Sequence, residues 1–345
     1  MRIEPLTPDL VPEITRVAKH AFEFDEIDEA LIREKTVGAE DFDPELGVVV
    51  KVEDRVVGFA QGAVGVGSDD RGVGYVRLLA VTPAWRRRKV GSLLLLTLEG
   101  KLRARDCHTV SIMDCPQNYF QPGLDFRYTE GVCFLLRHGY RMVHENHNMR
   151  CDIEVGQWPD LEAEIKRLSA EGFEVRRAQF ADEPPICEFL QSHWPAWVAE
   201  VKRALRHDPP RVYLAWHNGK VVAFAAYQGN NASLSWFGPM GTDPEVRKKG
   251  LGAILLRLCL QDLAHQGWRH AIIPWVGPIS FYARTCGAWL DRCFWVYRKD
   301  LSIKPLKWRL AEAALAEESA RMSELLRAFW SDDPMTRKEP ELVNK

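Results

Sequence analysis

Two stretches of this chain, 161 residues apart, repeat each other. Thr82 to Leu96 reads TPAWRRRKVGSLLLL and Asp243 to Leu256 reads DPEVRKKGLGAILL. Pro83 to Arg86 has the spacing of Pro244 to Arg247, and Arg86, Gly91 and Leu94-Leu95 match Arg247, Gly252 and Leu255-Leu256 at a constant offset of 161. The patterns around them repeat too: helix, hairpin, strand, basic loop, helix, strand, helix, strand. A solenoid would show a much shorter period, so a repeat of this length predicts two copies of one fold. A chain of 345 residues exceeds what one core usually serves. The expected layout is 1–155 for the first copy, 156–172 for a linker helix, 173–301 for the second copy, and 302–345 for a helix and tail.

Local patterning fills in the copies. In the first, Leu10 to Phe24 has helical spacing. Leu46 to Val52 and Arg55 to Val64 read as strands joined at Glu53-Asp54, and Tyr75 to Val81 and His108 to Met113 as further strands. Pro159 to Glu171 reads as a helix stopped by Gly172. In the second, helices are expected near Glu183 to Gln191 and on to about His207. Strands are expected at Val212 to Trp216, Val221 to Tyr227 and Ser233 to Phe237, with His217-Asn218-Gly219-Lys220 as a turn. Leu315, Met322, Leu325, Leu326 and Phe329 place one apolar helix face within Pro305 to Trp330, to seal a domain interface or to meet another subunit of a homo-oligomer.

The second basic loop carries the chemistry. Arg247, Gly250 and Gly252 form R-x-x-G-x-G after a strand and before an apolar helix. A helix N-terminus presents unpaired N–H groups and a positive dipole end, which suits a phosphate. Glycine permits positive φ and leaves room for close approach of the anion, while Arg247, Lys248 and Lys249 add charge.

This loop, with Pro244 before it, Leu255-Leu256 after it and Phe281-Tyr282 ahead of Gly287, resembles the signature of the GCN5-related N-acetyltransferases (GNAT). The resemblance implies an α/β fold of two tandem GNAT-type domains, each a mixed, mostly antiparallel central sheet flanked by helices. It implies an N-acetyltransferase that moves acetyl from acetyl-CoA to an amine by direct attack, with the chemistry in the second copy. The cofactor-binding residues expected are Met240, Gly241, Thr242, Arg247, Lys248, Lys249, Gly250, Leu251, Gly252 and Ala253. A backbone N–H from Met240 to Thr242 would face the thioester oxygen, where two central strands splay, and Pro239 and Pro274 agree with interrupted pairing there. Tyr282 is the expected proton donor, since a phenol of ordinary pKa about 10 stays protonated at neutral pH.

The copies differ where chemistry would need them alike. Lys89 replaces the first glycine, either obstructing the cradle or adding a cation to it, and Phe134 stands where the second copy has Tyr282. The connection from Cys115 to Gly131 is longer, and its Tyr119, Phe120, Asp125, Arg127 and Tyr128 either line a groove or pack the loop down. His193 and Glu200 are candidate bases, and each also reads as an ordinary surface or capping residue. Trp194, Trp197, Trp236 and Trp275 form an aromatic wall for the acceptor or belong to the core. The competing reading is a non-catalytic acyl-CoA-binding or regulatory protein that retains the pocket.

Composition narrows the partners. A net charge of −2 gives no electrostatic case for nucleic acid. No apolar run approaches the ~20 residues of a membrane span, and the N-terminal stretch lacks the pattern of a secretory signal. Eight scattered cysteines without a C-x-x-C pair predict reduced thiols, no metal and a cytoplasmic location. The expected partner is a small-molecule or peptide amine acceptor.

Overall fold

The structure is a computed structural model that describes residues 1–67 and 70–302. The helix expected at Pro305 to Trp330 lies outside the described residues. The first half runs β1 (Arg2–Pro5), α1 (Val11–Ala21), α2 (Glu29–Lys35), β2 (Gly47–Val52), β3 (Arg55–Val64), β4 (Val73–Val81), α3 (Val90–Arg103), β5 (Thr109–Ile112), β6 (Leu124–Asp125), α4 (Thr129–Arg137) and β7 (Arg141–Asp152). A connecting helix α5 (Leu161–Ala170) follows. The second half repeats the order with β8 (Phe173–Arg177), α6 (Glu183–His193), α7 (Val198–Leu205), β9 (Val212–His217), β10 (Lys220–Tyr227), β11 (Phe237–Thr242), α8 (Leu251–His265), β12 (His270–Ile273), α9 (Ile279–Cys286) and β13 (Trp289–Asp300).

In the first half β1 to β4 form an antiparallel meander and β5 joins β4 in parallel. In the second, β8 to β11 form the matching meander. Period-two alternation decides what covers each face. Tyr213, Ala215, Ala223, Ala225 and Tyr227 pack with α8 and α5, while Val212, Leu214, Phe224 and Ala226 pack with α6 and α7.

The last strand of each half crosses over. β13 lies between β5 and β7, and β7 pairs with β12, so each half completes its sheet with a strand from the other. Charges fix the exchange. Arg292 on β13 pairs with Asp25 and Asp125 at 2.7 Å each, and Lys299 donates to the fully buried Glu99 at 2.8 Å. This reciprocal exchange explains why residues 1–299 form one compact unit despite the internal repeat.

Two local expectations shift. Helix α2, unmarked in the sequence reading, is capped by Asp28, whose carboxylate accepts from the Leu31 N–H at 2.7 Å. The strand expected at Ser233 to Phe237 starts only at Phe237. First-half groups hold the preceding segment as a loop: Glu34 accepts from the N–H groups of Asn231 and Ala232 at 2.8 and 2.9 Å. Asn230 and Asn231 donate to the carbonyls of Tyr119 and Phe120. Non-local hydrogen bonds thus override the local strand pattern.

Candidate active site

The strand that should pair along β11 leaves it almost at once. The residue before β11 meets β12 through an isolated parallel bridge, Trp236 to Ile272, where the Ile272 N–H donates to the Ser235 carbonyl at 2.9 Å. One edge of β11 pairs with β10, while Phe237 to Thr242 line an opening on the other side. Pro239 and Pro274 both line it, and neither has an N–H to lend to a ladder. After β12 the chain turns to β7 instead: the Trp275 N–H donates to the Asn148 side chain and the Val276 N–H to the His147 carbonyl.

The opening is part of one cavity of about 1060 Å³. Its base is the loop into α8. Lys248 and the helix-capping Gly250 both have positive φ, 67° and 94°, where the chain turns into α8, and Gly250 to Ala253, whose N–H groups have no partner within the helix, line the cavity. Gly252 keeps that approach clear, since a Cβ there would meet the Met240 methyl at 3.2 Å and the Thr242 hydroxyl at 3.5 Å. Met240, Gly241, Thr242, Arg247, Lys248, Gly250, Leu251, Gly252 and Ala253 all line the cavity. Lys249 does not: its ammonium lies 3.9 Å from Glu171, beside α5. Two cations and the first N–H groups of a helix on one cavity lining fit the diphosphate of a coenzyme A ester.

Tyr282, on α9, lines the cavity beside Phe281. Burial pushes its phenol pKa well up, so it stays protonated throughout the physiological range.

Beyond the opening the wall becomes aromatic. Trp194 and Trp197 stack with ring centroids 5.2 Å apart. Tyr119, from the long first-half loop, meets Trp275 edge-on at 5.2 Å. All four line the cavity, together with Pro116 from the same loop, whereas Trp236 is buried beneath. Gly241 is required here, because a Cβ on it would lie 2.3 Å from the Trp194 ring. Phe120, Asp125 and Tyr128 are not on the wall. Phe120 is in the core, Asp125 holds Arg127 and Arg292, and Tyr128 donates to Asp25.

Glu200 on α7 also lines this end and is buried. Desolvation raises its pKa to about 7, against the attraction of Arg203 and Lys35 and with a small push from Glu34. His193 stays outside the cavity lining, with a ring nitrogen 2.9 Å from the Phe189 carbonyl and the other 4.0 Å from Asp243.

The first half keeps the loop but puts a buried side chain beside it. Lys89 caps α3 with φ 67°, in the left-handed region that Gly250 occupies, so the extra Cβ leaves the course of the backbone intact. Val73 to Val76 pair with Thr109 to Ile112, and the paired register ends there, near the position that matches the Trp236 to Ile272 bridge of the second half. Arg77, at the position of Gly238, is fully buried, pairs with Asp41 and donates to the Cys115 sulfur at 3.5 Å, bridging β4 to the chain beyond β5. Phe134 lies over Gly91, whose added Cβ would sit 3.3 Å from its ring. Away from the cavity, Glu145, His147 and Cys293 bring ligand atoms within 4.8 Å of one another on β7 and β13. Among the described residues no helix is long and apolar enough to cross a membrane.

No curated protein matches the sequence. Among solved structures, the chain is similar to the GCN5-related glucosamine N-acetyltransferase region of a fungal multi-domain GH3 β-N-acetylglucosaminidase, with TM-score 0.69 and 18% identity, over 86% of this chain. It spans only 38% of that fungal protein. It also resembles a GCN5-related N-acetyltransferase from Sphaerobacter thermophilus, with TM-score 0.63 and 19% identity, over 87% of this chain and 95% of that one. A tandem GNAT protein from the clavulanic acid biosynthesis pathway, solved without acetyl-CoA, follows with TM-score 0.61 and 17% identity, over 88% and 99% of the two chains. At such identities these likenesses speak for the fold. The profile of the acetyltransferase (GNAT) family matches residues 11–121 and again 170–288, one stretch in each half, and the chain is therefore a tandem member of the GNAT acetyltransferase family.

Proposed function

We propose that this chain is an acetyl-CoA-dependent N-acetyltransferase whose chemistry takes place in the second half, by direct attack of an amine on the thioester. The observation that carries this reading is the single cavity joining the N-terminus of α8 to Tyr282 and Glu200. A binding protein would need the first of these features but not the other two.

The residues divide the work by position. Arg247, Lys248 and the first N–H groups of α8 would hold the diphosphate, and the free edge of β11 would take the pantetheine arm. Acetyl-CoA supplies an activated acyl group. A backbone N–H among Met240 to Thr242 meets the charge that gathers on the carbonyl oxygen as nitrogen approaches. Glu200 takes the proton of the attacking amine, directly or through one water, and its pKa of about 7 suits a base working near neutral pH. The new C–N bond forms as the C–S bond breaks, and Tyr282 gives its proton to the departing sulfur and regains one from solvent.

The test is release of free CoA by the purified chain given acetyl-CoA and a panel of amines. Amine-dependent release with a matching acetylated product supports the reading. Tight CoA binding without release from any amine would make the chain a binding protein and overturn it.

A further inference from the structure

The acceptor end of the cavity has a composition that selects among amines. Its walls are the stacked Trp194 and Trp197, the Trp275 and Tyr119 pair, and Pro116. The carboxylate of the lining is Glu200, on α7, while the cations of the lining, Arg247 and Lys248, belong to the loop before α8. We propose that this end binds a compact monoamine with an aromatic or apolar body and no carboxylate; the proposal rests on the acetyl-transfer reading above.

Three features converge on that class. Indole and phenol faces attract an apolar body and, at their centres, a cation. A buried carboxylate with no hydrogen-bonding cation along the wall is the natural partner of one ammonium group. A substrate carboxylate would find no partner here. The nearby Lys35 ammonium is held by Glu34 and Asn118 at 2.6 Å each and by Asn230 at 2.5 Å. Arg203 donates to the Gly229 and Gln117 carbonyls at 2.9 and 3.2 Å, and neither cation lines the cavity. An amino acid would therefore bury an unpaired anion beside Glu200. A diamine would bury a second ammonium with no second carboxylate, among the described residues of the cavity lining, to pair with it. A peptide would leave backbone amides unpaired, since few polar groups stand on this wall. Because Tyr119 and Pro116 come from the first half, that half contributes to acceptor selection even though Arg77 is buried at the place of Gly238 in its own copy.

Calorimetric titration of the full chain, saturated with unreactive CoA at pH 8, tests this apart from catalysis. Phenethylamine should bind at least about 30-fold more tightly than phenylalanine, which differs by one carboxylate, and more tightly than butane-1,4-diamine. Trp197→Ala should weaken phenethylamine roughly tenfold with CoA affinity unchanged, and Trp197→Phe should restore most of the loss. Equal or tighter binding of phenylalanine or the diamine would overturn the proposal, as would a Trp197→Ala variant that binds phenethylamine normally. Parallel CoA-release assays separate the two readings. Selective binding without release sinks the transferase reading alone, whereas release with amino acids or peptides but not with phenethylamine sinks this proposal alone.

Discussion

Replacing Glu200 by glutamine should make the protein more stable and less active, and both changes should depend on pH. Its pKa is raised from the ordinary 4.5 to about 7 because α7 buries it, with Arg203, Lys35 and Glu34 as the charged groups around it and the Tyr119 phenol facing it. A folded pKa above the unfolded one favours folding fully below pH 4.5, and that contribution is lost as pH rises through 7. At pH 8.5 the ionised carboxylate therefore costs at most about 3 kcal/mol, taking 1.36 kcal/mol for each pH unit of displacement. Glu200→Gln keeps the shape and removes the charge. Its Tm should exceed that of the parent by roughly 5 °C at pH 8.5 and match it near pH 4.5. With an amine acceptor, kcat/KM should fall by about 10²- to 10⁴-fold, and the parent's rise in rate between pH 6 and 8 should flatten. Differential scanning fluorimetry and a CoA-release assay across that range read both. A variant as active as the parent with the same pH profile would remove Glu200 as the base. Equal Tm values at pH 8.5 would show that its charge carries no burial cost.

Three more outcomes follow from other parts of the structure. Tyr282→Phe should lower kcat by about 100-fold with the KM for acetyl-CoA nearly unchanged, because the phenol acts on the leaving sulfur and not on the bound diphosphate; steady-state kinetics decide this. Gly241→Ala must displace the Trp194 ring, which would lie 2.3 Å from the new carbon, so the acceptor KM should rise severalfold while CoA affinity, measured by calorimetry, changes less. Lys299→Met removes the ammonium that pairs the buried Glu99, leaving the Tyr140 hydroxyl and the weaker attraction of Arg103, and should destabilise the chain by about 3 kcal/mol in thermal or denaturant unfolding.

What was legible in the sequence follows from what is local. The strands around Glu53-Asp54 and Asn218-Gly219, the start of α8 and the apolar face of α1 announce themselves in a few consecutive residues, and the structure has them at or within a few residues of the expected bounds. The repeat of Arg86 and Gly91 in Arg247 and Gly252 gave the tandem architecture. The exchange of β7 and β13 left no trace, because a strand's pattern tells which face is buried and not which neighbour it pairs with. Glu200 carried an ambiguous signal for the same reason. A glutamate on a short amphipathic helix reads as surface, and only the packing of α7 against the first-half loop buries it. Tyr119 was noticed as one aromatic of a long connection, but its place in the second half's cavity depends on the hydrogen bonds of Asn230 and Asn231 to the neighbouring carbonyls. For the Lys89 loop, sequence offered obstruction or an added cation. The structure shows an undisturbed loop, with Arg77 buried at the place that Gly238 takes in the second half.

The central claim is that the second half alone grips coenzyme A, through the loop into α8 and the free edge of β11. Backbone hydrogen exchange with and without CoA measures this directly, since the amides involved are the ones said to bind. Added CoA should slow exchange in residues 247–253 and 237–242 and leave 86–92 unchanged. Protection at 86–92, or none at 247–253 under saturating CoA, would contradict the account.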